Sequence, residues 1–198
     1  MAVGQVRHTA VLGLGSSLGD SQRALSLAVR MLDAHPDIYV LRTSAVFRSV
    51  PIGPARGDFA NAAVRIRTSL SARGLLAAIK SIELRIGRRP SDRWSDRLID
   101  IDLLLYGRTI RRGRALCLPH PGLLVRGFAL GPAAEVAGDM VHPIDGRRLK
   151  DIPVPDVHQL VSVGRLPAVA PQGLPDYTGP RLHARASNSG RAAMKIFI

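Results

Sequence analysis

A chain of 198 residues, 46% of them hydrophobic, is long enough for one domain with its own core, and none of its apolar runs reaches the roughly 18 residues that a membrane helix needs. Its single cysteine, Cys117, excludes an internal disulfide or a cysteine-rich metal site, and residues 1–8 lack the apolar centre of a secretory signal, which together point to the cytoplasm. The net charge of +13 implies attraction to polyanions, and only the placement of the charges can choose between nucleic acid, lipid surface and nucleotide phosphates.

Residues 7–14 read as a first strand, broken by Gly13, Gly15 and Gly19. Asp20 or Ser21 can cap a helix, and Leu25, Val29 and Leu32 follow at helical spacing until His35-Pro36 ends it. Residues 38–49 are rich in β-formers and predict one second strand, followed by a Pro- and Gly-rich loop over 50–57. Residues 59–68 predict a third strand, because apolar and basic residues alternate in Val64-Arg-Ile-Arg-Thr68. Ser71 can cap a second helix whose stripe runs through Leu75, Ile79, Ile82, Glu83 and Ile86, with Gly87 at its end. An arginine-rich loop over 88–97 leads to a fourth strand over 99–106, and a short helix is expected over 128–137.

The order β-α-β-β-α-β predicts an α+β domain of the ferredoxin-like kind, an antiparallel sheet with helices packed on its faces. The domain is expected over residues 1–152. From 153 to 198 Pro and Gly recur, acidic residues nearly vanish and no period is visible, so a poorly ordered basic tail is expected there.

The sharpest chemical feature is Asp100-Ile-Asp102 inside an apolar strand. Alternation puts both carboxylates on one face and Ile99, Ile101 and Leu103 on the other. Such a pair is either a solvated strand face or a site for a divalent cation, and magnesium, which takes oxygen ligands and shares itself with substrate phosphates, suits it. Arg88, Arg89, Arg93 and Arg97, with Trp94 among them, stand just before this strand. They form a solvated basic loop, a polyphosphate grip, or a nucleic-acid loop in which Trp94 stacks on a base; the neighbouring acid pair argues against a nucleic-acid backbone. Glu83, on an otherwise apolar stripe, is a satisfied structural acid or a receiver of a ribose hydroxyl. His120, between two prolines, is a turn residue or a phosphate ligand. The glycines at 13, 15 and 19 match neither the P-loop nor the Gly-x-Gly-x-x-Gly pattern.

Taken together and in order, these motifs resemble the family of 6-hydroxymethyl-7,8-dihydropterin pyrophosphokinases. The resemblance spans roughly residues 8–152 and rests on Leu14-Gly-Ser-Ser-Leu-Gly-Asp20, Phe47-Arg-Ser-Val-Pro-Ile-Gly-Pro54, Asp58-Phe-Ala-Asn61, Ile82-Glu83, Gly87-Arg88, Arg93-Trp94, Arg97, Asp100-Ile-Asp102, Leu118-Pro-His-Pro121, Arg126-Gly-Phe128 and His142-Pro143. It implies transfer of the diphosphate of ATP to 6-hydroxymethyl-7,8-dihydropterin, with release of AMP, on a route to folate-type cofactors.

By the same resemblance, Asp100 and Asp102 would hold two Mg²⁺ ions, and Arg93 and Arg97 would take part in catalysis. Arg88, Arg93, His120 and Arg126 would grip the phosphates of ATP, with Glu83 and Trp94 on the nucleotide side. Ser49, Ile52, Phe59, Asn61 and Phe128 would receive the pterin, the two phenylalanines by stacking on its ring. No membrane partner and a monomer are expected. The chain departs from the family pattern at Ser17, where Asn is usual, at Val50, where Pro is usual, and at Ser95, Asp96 and Leu98. These departures keep a second reading open, an altered relative that binds ATP or pterin with little turnover or acts on a modified pterin. A basic nucleic-acid-binding protein is the third reading.

Overall fold

In the computed structural model, residues 7–49, 59–88 and 97–166 are described. Strand β1 (His8–Ser16) leads into helix α1 (Ser21–Asp33). Asp20 is the cap, its carboxylate accepting the Arg23 N–H at 2.9 Å. Leu25, Val29 and Leu32 are buried, as the spacing predicts.

The expected single strand over 38–49 divides at Ser44 into β2 (Ile38–Thr43) and β3 (Ala45–Ser49). The cause lies in side chains that take over the backbone's bonds. The Ser44 hydroxyl accepts the Ala63 N–H at 2.8 Å and donates to the Ala45 carbonyl at 2.6 Å. The Glu135 carboxylate accepts the Ala45 N–H at 3.1 Å. With these groups satisfied, the chain bends without leaving a buried polar group unpaired.

Strand β4 (Phe59–Thr68) pairs antiparallel with β1, β2 and β3. Helix α2 (Ala72–Ile86) starts at Ser71, whose hydroxyl accepts the Gly74 N–H at 3.1 Å, and ends at Gly87, which turns left-handed with φ 111°. Strand β5 (Asp100–Tyr106) then pairs antiparallel with β1, and helix α3 (Gly127–Ala137) follows. The expected boundary at 152 falls short of the sheet, because Val161–Arg165 forms a further strand, β6, antiparallel to β3. The rest of the expected tail, from 167, lies outside the described residues.

The sheet of six described strands runs β5-β1-β4-β3-β6, with β2 also on β4. One face carries α1 and α2 over a core that includes Leu12, Leu25, Ile66, Ile79 and Ile101, all fully buried. The other face carries α3 over Val11, Leu105, Leu123, Leu130 and Ala133. This is the expected α+β sandwich. Truncating one of these leucines to alanine would cost about 2–5 kcal/mol. No helix among the described residues is long and apolar enough to cross a membrane.

Candidate functional site

Strand β5 carries one residue more than β1 at a β-bulge: Val11 pairs with Leu105 and Leu12 with Leu103, so Leu104 is the extra one. Before the bulge, alternation holds. Ile99, Ile101 and Leu103 join the core under α1 and α2, while Asp100, Asp102 and Leu104 line a cleft of about 480 Å³ on the α3 side. Gly13 and Gly15 on β1 stand directly across from Asp102 and Asp100. A Cβ on Gly13 would come 3.1 Å from Leu104, and one on Gly15 would sit 3.6 Å from the Asn61 amide oxygen. The two glycines keep the cleft floor bare beside the carboxylates. The glycine-rich stretch therefore acts through the space it leaves open on the strand.

Asp100 holds two arginines, one on each oxygen: Arg88 at 2.7 Å and Arg97 at 2.8 Å. Lys80 stands 4.0 Å from the same carboxylate. Burial, joined by the charge of Asp100, pushes the Asp102 carboxyl above its ordinary value, against the pull of His120, Lys80 and Arg88. Arg97 has a further property: its Nε–H is buried and has no hydrogen-bond partner among the described residues. A buried, unspent guanidinium donor beside an open cleft suits an anionic oxygen.

On the far side, the His120 ring accepts the Gly122 N–H at its Nδ1, 3.0 Å away. A neutral His120 therefore carries its proton on Nε2. Gly122 lets the chain pack closely there, since a Cβ would come 3.1 Å from both His120 and the Arg126 stem. The Arg126 guanidinium lies 5.9 Å from the centre of the Phe128 ring.

Phe59, Asn61 and Ser49 form the third wall, delivered by β4 and the end of β3, where Ser49 pairs with Phe59. The Asn61 amide nitrogen donates to the Ser49 hydroxyl at 2.8 Å and to the Phe59 carbonyl at 3.4 Å. That fixes the amide with its oxygen toward Gly15 and the cleft. Among the described residues, the fold thus brings Ser49, Phe59, Asn61, Arg88, Arg97, Asp100, Asp102, His120, Arg126 and Phe128 around one cavity. Ile52, Arg93 and Trp94 lie outside the described residues, as do Val50, Ser95 and Asp96.

Glu83 is the exception among the expected residues. It does not line the cleft and is 1% exposed. Its Oε1 accepts the Ile101 N–H at 2.6 Å and the Lys80 ammonium at 3.0 Å, and it pairs with Arg88. Burial raises its carboxyl above the ordinary value, opposed by the Ile101 bond and by Lys80 and Arg88. Of the two roles open to it from sequence, these bonds match the structural acid, a buried carboxylate tying α2 to β5.

Lys80, three residues earlier on α2, is a cleft residue that the sequence reading missed. Its signal was the Lys80/Glu83 spacing of three, which places the two on one helix face.

A model of the 7,8-dihydro-6-hydroxymethylpterin-pyrophosphokinase (HPPK) family matches residues 11–138. The chain is 45% identical over 133 residues to the 2-amino-4-hydroxy-6-hydroxymethyldihydropteridine pyrophosphokinase of Methylorubrum extorquens, covering 67% of this chain and 84% of that one. The Synechocystis protein of the same name is 38% identical over 143 residues, covering 72% and 73%. A crystal structure of Plasmodium falciparum HPPK-DHPS superposes with a TM-score of 0.60 at 12% identity, over 76% of this chain but only 43% of that longer one, which speaks to fold alone. With the cleft and the antiparallel sheet described above, these matches assign the chain to the 7,8-dihydro-6-hydroxymethylpterin-pyrophosphokinase family.

Proposed function

We infer that this chain carries out the reaction of its family, transferring the diphosphate of ATP to 6-hydroxymethyl-7,8-dihydropterin. The hydroxymethyl oxygen bonds to the β-phosphorus and gives up its proton to solvent, the bond from that phosphorus to the α,β-bridging oxygen breaks, and AMP leaves with the electron pair. The observation that carries the reading is one cleft with a carboxylate pair, three cations against one of those carboxylates, and two phenylalanines on its walls.

The donor set fits magnesium. Among the described residues no group of three or more His, Cys, Asp or Glu side chains could hold a metal alone. Two neighbouring carboxylates, one with its charge disfavoured by burial and by the other, gain from a divalent cation that completes its shell with water and phosphate oxygens. Asp100 and Asp102 would hold two Mg²⁺ ions, whose chemistry is to neutralise phosphate charge and polarise the reacting oxygens.

The chain's own side chains do the positioning. Arg88 and Arg97 leave Asp100 for phosphate oxygens when ATP enters, and the buried Arg97 Nε–H gains an acceptor there. His120 donates from Nε2, and Arg126 adds a second cationic grip. Phe59 and Phe128 stack on the flat pterin, and Asn61, held by Ser49, pairs with its amide edge. From their place in the sequence, Arg93 and Trp94 join the nucleotide side. Catalysis of this kind is chiefly alignment and charge stabilisation.

The test is AMP release from ATP and Mg²⁺, with and without 6-hydroxymethyl-7,8-dihydropterin. AMP formed only with the pterin is the expected result. Tight binding of both substrates with no AMP would leave the chain an altered relative and would overturn the reading.

A further inference from the structure

Ser17 is the first residue after β1, and the resemblance assigns it no part in the reaction. In the fold it meets Arg97 in both directions. The Ser17 and Leu18 N–H groups donate to the Arg97 carbonyl at 2.9 and 3.3 Å. The Arg97 N–H donates back to the Ser17 hydroxyl at 3.0 Å. These three bonds carry the β1-β5 pairing past its last register pair, Gly15 with Asp100.

Two residues, Leu98 and Ile99, separate the clamped Arg97 backbone from Asp100, and across them the Arg97 guanidinium reaches the Asp100 carboxylate. The Arg97 N–H depends on the Ser17 hydroxyl, because its partner is a side-chain oxygen. The two bonds to the Arg97 carbonyl need only backbone and would survive any substitution at 17 other than proline.

We propose that Ser17 is a positioning residue for the diphosphate transfer, acting through Arg97: its hydroxyl fixes the backbone from which the Arg97 guanidinium is aimed at Asp100 and at the incoming phosphates. This rests on the function inferred above. Loss of the hydroxyl leaves Arg97 in the cleft but held by its carbonyl alone, and alignment errors near 1 Å are enough to cost turnover. Ser17 belongs to no core cluster, so its effect on the overall fold is small.

The experiment is a double-mutant cycle on Ser17→Ala and Arg97→Met in the full chain. It is read both as AMP release and as calorimetric affinity for α,β-methylene-ATP with Mg²⁺, beside thermal melts. Ser17→Ala should lower kcat about tenfold, the kinetic weight of about one hydrogen bond, with the KM for pterin unchanged. Ser17→Thr, which keeps the hydroxyl, should recover most of the loss. On the Arg97→Met background, Ser17→Ala should add nothing further, in rate or in affinity.

Effects that add in full, or a Ser17→Ala chain with wild-type kcat, would overturn the proposal. So would a drop explained by a lowered melting temperature. If the wild-type chain binds the analogue but releases no AMP, the diphosphate-transfer reading fails, and the Ser17 coupling is still decided by the affinity cycle. A wild-type chain that neither binds the analogue nor releases AMP would sink both.

Discussion

The Oε1 atom of Glu83 accepts the backbone N–H of Ile101 at 2.6 Å, so a helix side chain occupies the place of a missing strand neighbour. Among the described residues, strand β5 is the sheet's last strand on that side, and its outer backbone groups have no ladder to join there. Lys80 assists by donating to the Ile101 carbonyl at 3.4 Å. Ile101 stands between Asp100 and Asp102, so this anchor sets where both carboxylates stand.

Glu83→Ala should therefore act on stability first. It strips the Ile101 N–H of its partner and takes one carboxylate from Arg88 and Lys80, which keep Asp100, at a cost of about 1–3 kcal/mol. Urea denaturation should show the loss directly. ATP affinity, measured below the variant's melting point, should fall by less than about threefold. A stable variant that has lost ATP binding would return Glu83 to the nucleotide.

Asp102→Ala should abolish Mg²⁺-dependent AMP release, by about a thousandfold, because a charge-stabilising group is lost from the reacting centre. Pterin affinity, followed by the ligand's fluorescence, should stay within about threefold, since Phe59, Asn61 and Phe128 lie on other walls. Turnover near wild type would remove the metal assignment.

Gly15 gives a graded test of the bare cleft floor. A methyl at 15 would sit at ordinary contact distance, 3.6 Å from the Asn61 oxygen, so Gly15→Ala should weaken pterin binding only about two- to fivefold. Gly15→Val adds two methyls between Asn61 and Asp100 and should weaken it about a hundredfold or more while leaving the chain folded. Equal affinity for Gly15→Val and wild type would place the pterin elsewhere.

Much of this frame could be read in the sequence because it rests on short-range periodicity. Alternation across Asp100, Ile101 and Asp102 sorts the carboxylates from the core, and Val64-Arg-Ile-Arg-Thr68 marks β4. The features that escaped depend on distant partners. The break at Ser44 relies on Glu135, 90 residues away from Ala45. Strand β6 is five residues in a Pro- and Gly-rich segment, and only the edge of β3 gives it a ladder. The bulge at Leu104 follows from register, and register follows from strands meeting. Lys80 stands off the apolar stripe of α2, so hydrophobic periodicity carries no signal for it.

His142 supplies a pH dependence remote from the cleft. Its ring is buried, and its Nδ1 accepts the Asp145 N–H at 3.0 Å. Burial holds its pKa below the ordinary 6.5, with the Asp145 carboxylate pulling the other way. The folded chain therefore prefers neutral His142, whereas the unfolded chain takes up the proton more readily as pH falls. This contribution to stability is complete above about pH 6.5, declines as pH drops below it, and is lost once pH passes the lower folded pKa. The slope in that window should approach about 1.4 kcal/mol per pH unit at most. His142→Asn, whose amide oxygen can accept the same N–H, should be flatter over pH 5–7 in urea melts. Parallel wild-type and variant curves would mean that His142 takes up its proton alike in the folded and the unfolded chain, against the burial argument.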